Sequence, residues 1–244
     1  MEILFEIFRD LPRQGPGDTK FTLKAFNAIK NKLNRPIILD VGCGSGMQTI
    51  DILDKINGKI IALDFHKPYL LKLQSKIIDK YSQFKIDIIN SSMHLFNFKK
   101  AVFDLIWSEG SIFIYGFEAG LRDWKQFLKK KGFFVISELS LFKKPPDELK
   151  EFFNSEYPPI KLNKENLDII NKYGYDIIEN FSISDTAWWN NYYTPLEKRL
   201  GYLREKYESN KNYLDMIKSV QHEIEIFRRF SEYYGYYFYV LQKT

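Results

Sequence analysis

Cysteine is nearly absent from this chain. Its 244 residues include only Cys43, so no internal disulfide and no thiolate metal site can form, a usage that fits a reducing compartment. Long apolar runs are missing too: none approaches the ~18 residues that a membrane-spanning helix requires. The opening stretch MEILFEIFRD has acids at positions 2 and 6 and too short an apolar run for a secretory leader. A soluble, cytoplasmic protein with no membrane partner is expected. Charge of one sign is also scarce, because 36 Lys and Arg stand against 31 Asp and Glu, a formal net charge of +5. The densest basic stretch, KQFLKKKG at 125–132, is interrupted by Phe127 and Leu128 at helical spacing. It reads as a solvated helix face running into a turn, and no nucleic-acid partner is expected. No cluster of His, Asp and Glu at ligand spacing occurs, which predicts metal independence. Internal repeats and low-complexity linkers are lacking, so the length predicts one domain with an elaboration.

What the chain does have is alternation. Apolar strand-like runs stand at PIILDV (36–41), GKIIALDF (58–65), FKIDIIN (84–90), FDLIWSE (103–109) and GFFVISEL (132–139). Helical patterns lie between them at 46–55, 67–80, a short one at 92–100, and 117–130. Continuous apolar strands separated by helices predict an α/β fold, a doubly wound, mostly parallel sheet covered on both faces. After Pro145-Pro146 come helical patterns at 146–154 and 163–173 and a strand at 175–183. About fifty residues of mostly helical pattern follow, before the closing run YGYYFYVLQKT. The expected organisation is a seven-stranded sheet in one domain spanning 1–244. Within it, 1–30 would form an N-terminal lid, 31–183 the ligand-binding core, 184–234 a helical cap inserted before the last strand, and 235–244 that strand.

The segment DVGCGSG (40–46) places three glycines, one at every second residue, just after the first strand. Bare backbone N–H groups at a strand-to-helix turn allow close approach of a ligand. A triphosphate-binding loop needs Lys-Ser/Thr at the end of the motif, but the eight residues from Gly42 end in Gln48-Thr49. A dinucleotide turn wants Gly or Ala at its sixth position, where this chain has Met47. The remaining pattern, acid-x-G-x-G-x-G, matches Asp40, Gly42, Gly44 and Gly46 at every position.

With these residues the chain resembles the class I S-adenosylmethionine-dependent methyltransferases. The resemblance covers residues 36 to 139 in order and implies S-adenosyl-L-methionine as cofactor. It implies that the glycines admit the methionyl end and that Asp40 binds its ammonium. Asp64, 18 residues beyond Gly46 at the end of the second strand, would accept the ribose hydroxyls, with Phe65 beside it. Ser92 and Met93, in NSSMHLFNF, would lie against the adenine, although simple core packing explains Met93 equally well and no acid stands there to read the adenine amino group. Ser108 and Glu109, closing FDLIWSEG, would abut the methionyl group and the methyl. A narrower resemblance is carried by RQGPGDTKFTLKAF (13–26), IWSEGSIFIYGFEAGLRDWKQFLKKKGFFVISE (106–138) and a Trp/Tyr-rich segment ahead of the last strand. It is to small bacterial and archaeal methyltransferases with a type-11 domain, often labelled after ubiquinone biosynthesis.

Methyl transfer is an in-line displacement at a sulfonium, so positioning and water exclusion do most of the work. The strand end reads Ser108-Glu109-Gly110 rather than the Pro-Pro motif of enzymes that methylate exocyclic amines of bases. Cys43 lies in the cofactor turn, which rules out a cysteine nucleophile toward cytosine. Glu109, at the carboxyl end of a central strand, is the leading catalytic candidate, with a structural ion pair as the alternative. His94 is a second candidate base; His66 could stack near the adenine, and His222 reads as a surface or packing residue. Arg13 and Gln14, before Gly15-Pro16-Gly17, could reach the methionyl carboxylate from a lid. Trp188, Trp189, Tyr192 and Tyr193, with Tyr115, are candidate acceptor contacts, an aromatic wall suited to a flat or cationic small molecule. The leading expectation is methyl transfer to a small-molecule acceptor. An RNA or protein methyltransferase, a non-catalytic S-adenosylmethionine-binding protein and a nicotinamide oxidoreductase stand as alternatives, and a homodimer through the inserted helices is possible.

Overall fold

The computed structural model describes residues 2–81, 85–95 and 97–244. Seven strands carry the sheet: β1 (Ile37–Val41), β2 (Lys59–Asp64), β3 (Ile86–Asn90), β4 (Phe103–Ser108), β5 (Leu128–Leu141), β7 (Tyr175–Ser182) and β8 (Tyr234–Lys243). A two-residue β6 (Lys161–Leu162) joins the end of β5. The order is β3-β2-β1-β4-β5-β8-β7. Strands β1 to β5 pair in parallel, whereas β8 runs antiparallel to both β5 and β7. Reversal of order at β1, with β2 on one side and β4 on the other, opens a crevice at the carboxyl ends of these strands, where doubly wound sheets bind ligands.

The helices of the core are α1 (Glu2–Phe8), α2 (Thr19–Asn27), α3 (Met47–Leu53), α4 (Lys67–Ile77), α5 (Ile112–Tyr115), α6 (Phe117–Asp123), α7 (Asp147–Glu156) and α8 (Asn163–Lys172). Between β7 and β8 stand α9 (Asp185–Trp188), a π-helical turn at Trp189–Tyr193, α10 (Thr194–Lys206) and α11 (Lys211–Phe230). Two apolar clusters sandwich the sheet. One gathers Phe26, Ile38, Trp107, Val135 and Phe238 with the inserted helices, and the other gathers Leu39, Ile106, Trp124, Phe134 and Tyr239. No helix among the described residues is long and apolar enough to cross a membrane.

Three local expectations change. The helix expected over 117–130 ends at Asp123, passes into a 3-10 turn and gives way to β5 at Leu128. Pairing decides it: Leu128 sits opposite Phe103, and an irregularity before Leu105 lets β5 begin before the Gly132 run. The basic residues 129–131 are therefore strand, with Lys131 in left-handed conformation at φ 59. No helix forms among the described residues of 92–100; Phe96 in that stretch, and Phe84 at the start of the expected third strand, lie outside the described residues.

The N-terminal segment is bound to the insertion rather than lying free. Arg199 of α10 donates to the carbonyls of Glu6 (2.7 Å) and Ile7 (2.9 Å), groups left open at the end of α1. Phe8 stacks on Tyr192 with centroids 6.0 Å apart. The Gly15-Pro16-Gly17 turn is pinned as well, since Gly17 N donates to the Ala187 carbonyl and Asn191 donates to the Gly17 carbonyl. Together α1 and the insertion roof the crevice.

Candidate active site

The site begins at the loop after β1. Gly42 and Gly46 both need the left-handed backbone, at φ 73 and φ 83, which costs a non-glycine residue roughly 1–2 kcal/mol. Space is as restrictive as conformation: a Cβ on Gly42 would stand 2.5 Å from Ser111 Cβ, and one on Gly46 2.2 Å from Leu73 Cδ1. The loop thus passes with bare backbone between β4's following turn and α4.

Asp40 lies beneath this loop, fully buried. Its carboxylate accepts from the Thr49 hydroxyl at 2.5 Å and from Gln48 Nε2 at 3.5 Å. Burial, outweighing these bonds, pushes its pKa up to about 7. Asp40 therefore braces the start of α3 from below and does not line the crevice. Asp64 at the end of β2 does line it. Gly44 N donates to its Oδ2 at 2.9 Å and His66 N to its Oδ1 at 2.8 Å, so backbone alone fixes the carboxylate's orientation. Burial raises its pKa, the backbone bonds opposing.

Across the loop stands an ion pair. Arg13 Nη1 donates to Glu109 Oε1 at 2.8 Å, and their side chains are only 7% and 4% exposed. Glu109 also accepts from the Thr22 hydroxyl (2.9 Å) and from Trp107 Nε1 (3.2 Å). Three donor groups on one carboxylate fix the orientation of Glu109. Gln14 accepts from Ser45 N at 3.0 Å and so joins the lid to the glycine loop. Arg13, Gln14, Glu109 and the loop backbone enclose a small hollow of about 70 Å³.

That hollow opens past Gly15, Gly42 and Gly110 into a cavity of about 580 Å³. Its near end is lined by Leu63, Asp64, Phe65 and Met93, and its far end by aromatic residues of the roof and the sheet ends. Of the expected acceptor contacts, Trp188, Tyr192 and Tyr193 line this cavity. Trp188 stacks on Phe227 (4.3 Å) and Tyr236 (5.3 Å), so it anchors the insertion while presenting one edge to the space.

Other expected site residues stand elsewhere among the described residues. Trp189 packs against Phe227, with Arg228 over its ring. Tyr115 donates to Asp123 and stacks on His94, which is exposed. Ser108 is buried and bonded to Ser111, whose hydroxyl bonds the Val41 carbonyl. The Ser92 hydroxyl accepts from His94 N, while its neighbours Ser91 and Met93 face the cavity. His66 lies under Phe5, stacked at 3.7 Å, and His222 lines the far end of the cavity. Cys43 is buried, which pushes its thiol well up and keeps it protonated.

Sequence reasoning did not find Thr22, Tyr69, Ser111, Phe113, Tyr157, Glu223 or Tyr236. Thr22, Ser111, Phe113 and Tyr236 lie within the stretches quoted above, but no spacing in those stretches marks them; Tyr69, Tyr157 and Glu223 lie outside them.

Comparison with known proteins agrees with this architecture. Residues 38–132 match a family model described as a methyltransferase domain. No curated protein matches the chain by sequence. Among solved structures, a SAM-dependent methyltransferase from Thiobacillus denitrificans in complex with S-adenosyl-L-homocysteine is similar at TM-score 0.85 and 16% identity, covering 100% of this chain and 99% of that one. A SAM-dependent methyltransferase from Geobacter sulfurreducens in the same complex is similar at TM-score 0.84 and 14% identity, covering 100% and 98%. YjhP from E. coli is similar at TM-score 0.85 and 15% identity over both whole chains.

Proposed function

We propose that this chain, which carries a methyltransferase domain at residues 38–132 on the class I fold, transfers a methyl group from S-adenosylmethionine to a small-molecule acceptor. One observation carries the reading: a single cavity runs from Asp64 and the glycine loop to an aromatic chamber beneath the insertion. A cofactor and an acceptor laid end to end in it would meet between the glycine loop and that chamber.

The residues at the loop end suit this cofactor. Asp64, aimed by two backbone donors, can accept two neighbouring ribose hydroxyls. Leu63, Phe65 and Met93 offer apolar surface beside it for a purine. The Arg13–Glu109 pair sets a cation and an anion beside the hollow, matching the carboxylate and ammonium of an amino acid. S-adenosylmethionine, when bound, supplies an electrophilic methyl on a sulfonium. The chain's own part is to align the acceptor and exclude water. The roof built from α1 and the insertion does the second. Glu109, held by Arg13, Thr22 and Trp107, contributes by its fixed position.

Calorimetric titration with S-adenosylhomocysteine, with NAD as control, tests the cofactor. Micromolar binding of the first alone is expected; binding of NAD alone would refute the reading. Mass-spectrometric screening of amines, phenols and quinone precursors for a 14-dalton gain then tests the acceptor class.

A further inference from the structure

The far chamber is aromatic and carries carboxylates with no lysine or arginine in its lining; the one basic side chain there among the described residues is His222, at an exposed position. Glu223 of α11 lines it and accepts from the Tyr193 hydroxyl at 2.9 Å. Glu156, at the end of α7, lines its mouth and lies near enough to raise the Glu223 carboxyl by its charge. Behind the wall, Glu138 on β5 is 2% exposed. It accepts from the hydroxyl of Tyr157, a residue of the lining, and its Oε2 has no hydrogen-bond partner. None of the ion pairs found among the described residues involves Glu138, Glu156 or Glu223. Tyr236 lies between the two buried sites, within the field of both Glu138 and Glu223. Burial pushes both carboxyls up, Glu138 to about 8, outweighing the Tyr157 bond and the charge of Lys161 at Glu138 and the Tyr193 bond at Glu223.

We propose that the methyl acceptor is an organic cation, a small amine protonated in solution, whose ammonium is held by Glu223 among the rings of Trp188, Tyr192 and Tyr236. The inference rests on the methyltransferase reading above and names its acceptor class. An anionic acceptor would face Glu223 and Glu156 with only the exposed His222 in the lining to offset them, and a neutral one would leave the Glu223 carboxylate without a counter-ion. An ammonium answers both conditions, and the surrounding rings add cation–π attraction. Transfer requires the nitrogen's electron pair, so the ammonium first passes one proton to Glu223. The freed pair forms the new N–C bond while the methyl C–S bond breaks. The electrons of that bond stay on sulfur as a neutral thioether, and the methylated nitrogen takes up the positive charge.

The test uses the full chain saturated with S-adenosylhomocysteine, whose own titration is recorded first; absence of that binding would sink the cofactor reading and is seen separately. Phenethylamine, 2-phenylethanol and phenylacetate, one ring with a cationic, neutral or anionic head, are then titrated in. The amine is expected to bind about tenfold tighter than the alcohol, and the acid weakest. Glu223→Gln should bring amine and alcohol within about threefold, while S-adenosylhomocysteine affinity and melting temperature are kept. Glu156→Gln, at an exposed position, folds regardless and should reduce the preference by about threefold. Equal or tighter binding of the alcohol or the acid, binding of none of the three, or a preference untouched by Glu223→Gln would overturn the proposal.

Discussion

Arg13 and Glu109, 96 residues apart, meet at 2.8 Å in a pair that is almost wholly buried. The contact joins the N-terminal segment to the carboxyl end of β4 directly beside the glycine loop. Removing one member of a buried pair leaves the other charge unpaired, which typically costs about 3–5 kcal/mol. Arg13→Met should therefore lower the melting temperature and weaken S-adenosylhomocysteine binding together. A variant with unchanged stability would show that the pair is not formed in solution.

Asp64 offers a cleaner separation of binding from folding. Its two backbone donors lie in the loop and just after β2, and its side chain faces the cavity. Asp64→Ala should weaken S-adenosylhomocysteine by about 1–3 kcal/mol through lost hydroxyl bonds, with a much smaller change in melting temperature. Unchanged affinity by titration would place the ribose elsewhere.

Gly46 tests the loop itself. Gly46→Ala meets both a left-handed backbone at φ 83 and Leu73 Cδ1 at 2.2 Å. Overpacking and strain together should cost about 2–4 kcal/mol, seen in chemical denaturation. The double variant Gly46→Ala with Leu73→Ala should recover the steric part and not the backbone part.

Acid and base should act unequally on stability because of Glu138. Its folded pKa, about 8, lies above the unfolded carboxylate value. Its neutral form is thus accommodated at low pH, and stability is lost as pH rises from the unfolded pKa through the folded one. Between about pH 5 and 8 a single such group contributes a slope approaching 1.4 kcal/mol per pH unit. Glu138→Gln should make that decline shallower in urea titrations at several pH values, most clearly between about pH 7 and 8, since Asp40, raised to about 7, contributes its own decline below that. A wild-type profile already flat over this window would mean that Glu138 is ionised and paired.

The parallel strands were legible because each is a short, continuous apolar run between helical patterns, the signature of a sheet buried on both faces. Residues 124–131 misled for a physical reason. Phe127 and Leu128 sit at helical spacing, but Leu128 finds a ladder partner in Phe103, and tertiary pairing overrode the local pattern. Within the cavity, the glycine loop and Asp64 were readable because their roles are set by neighbours in sequence. Glu138, Tyr157, Glu223 and Tyr236 were not readable. Each is unremarkable in its own segment, and only β5, α7, α11 and β8 together bring them to one chamber.

Strand β8 has a consequence for how the molecule is made. It lies between β5 and β7, bonded to both along most of its length, so two long strand edges remain open until residues 234–243 emerge from the ribosome. Those edges are templates for wrong partners, and closing them requires contacts separated by a hundred residues of chain, a slow kind of search. The helical insertion makes up the part of that interval between β7 and β8. Its Trp188 stacks on Phe227 within the insertion and on Tyr236 of β8, so the arrival of β8 completes both the sheet and the packing of the roof.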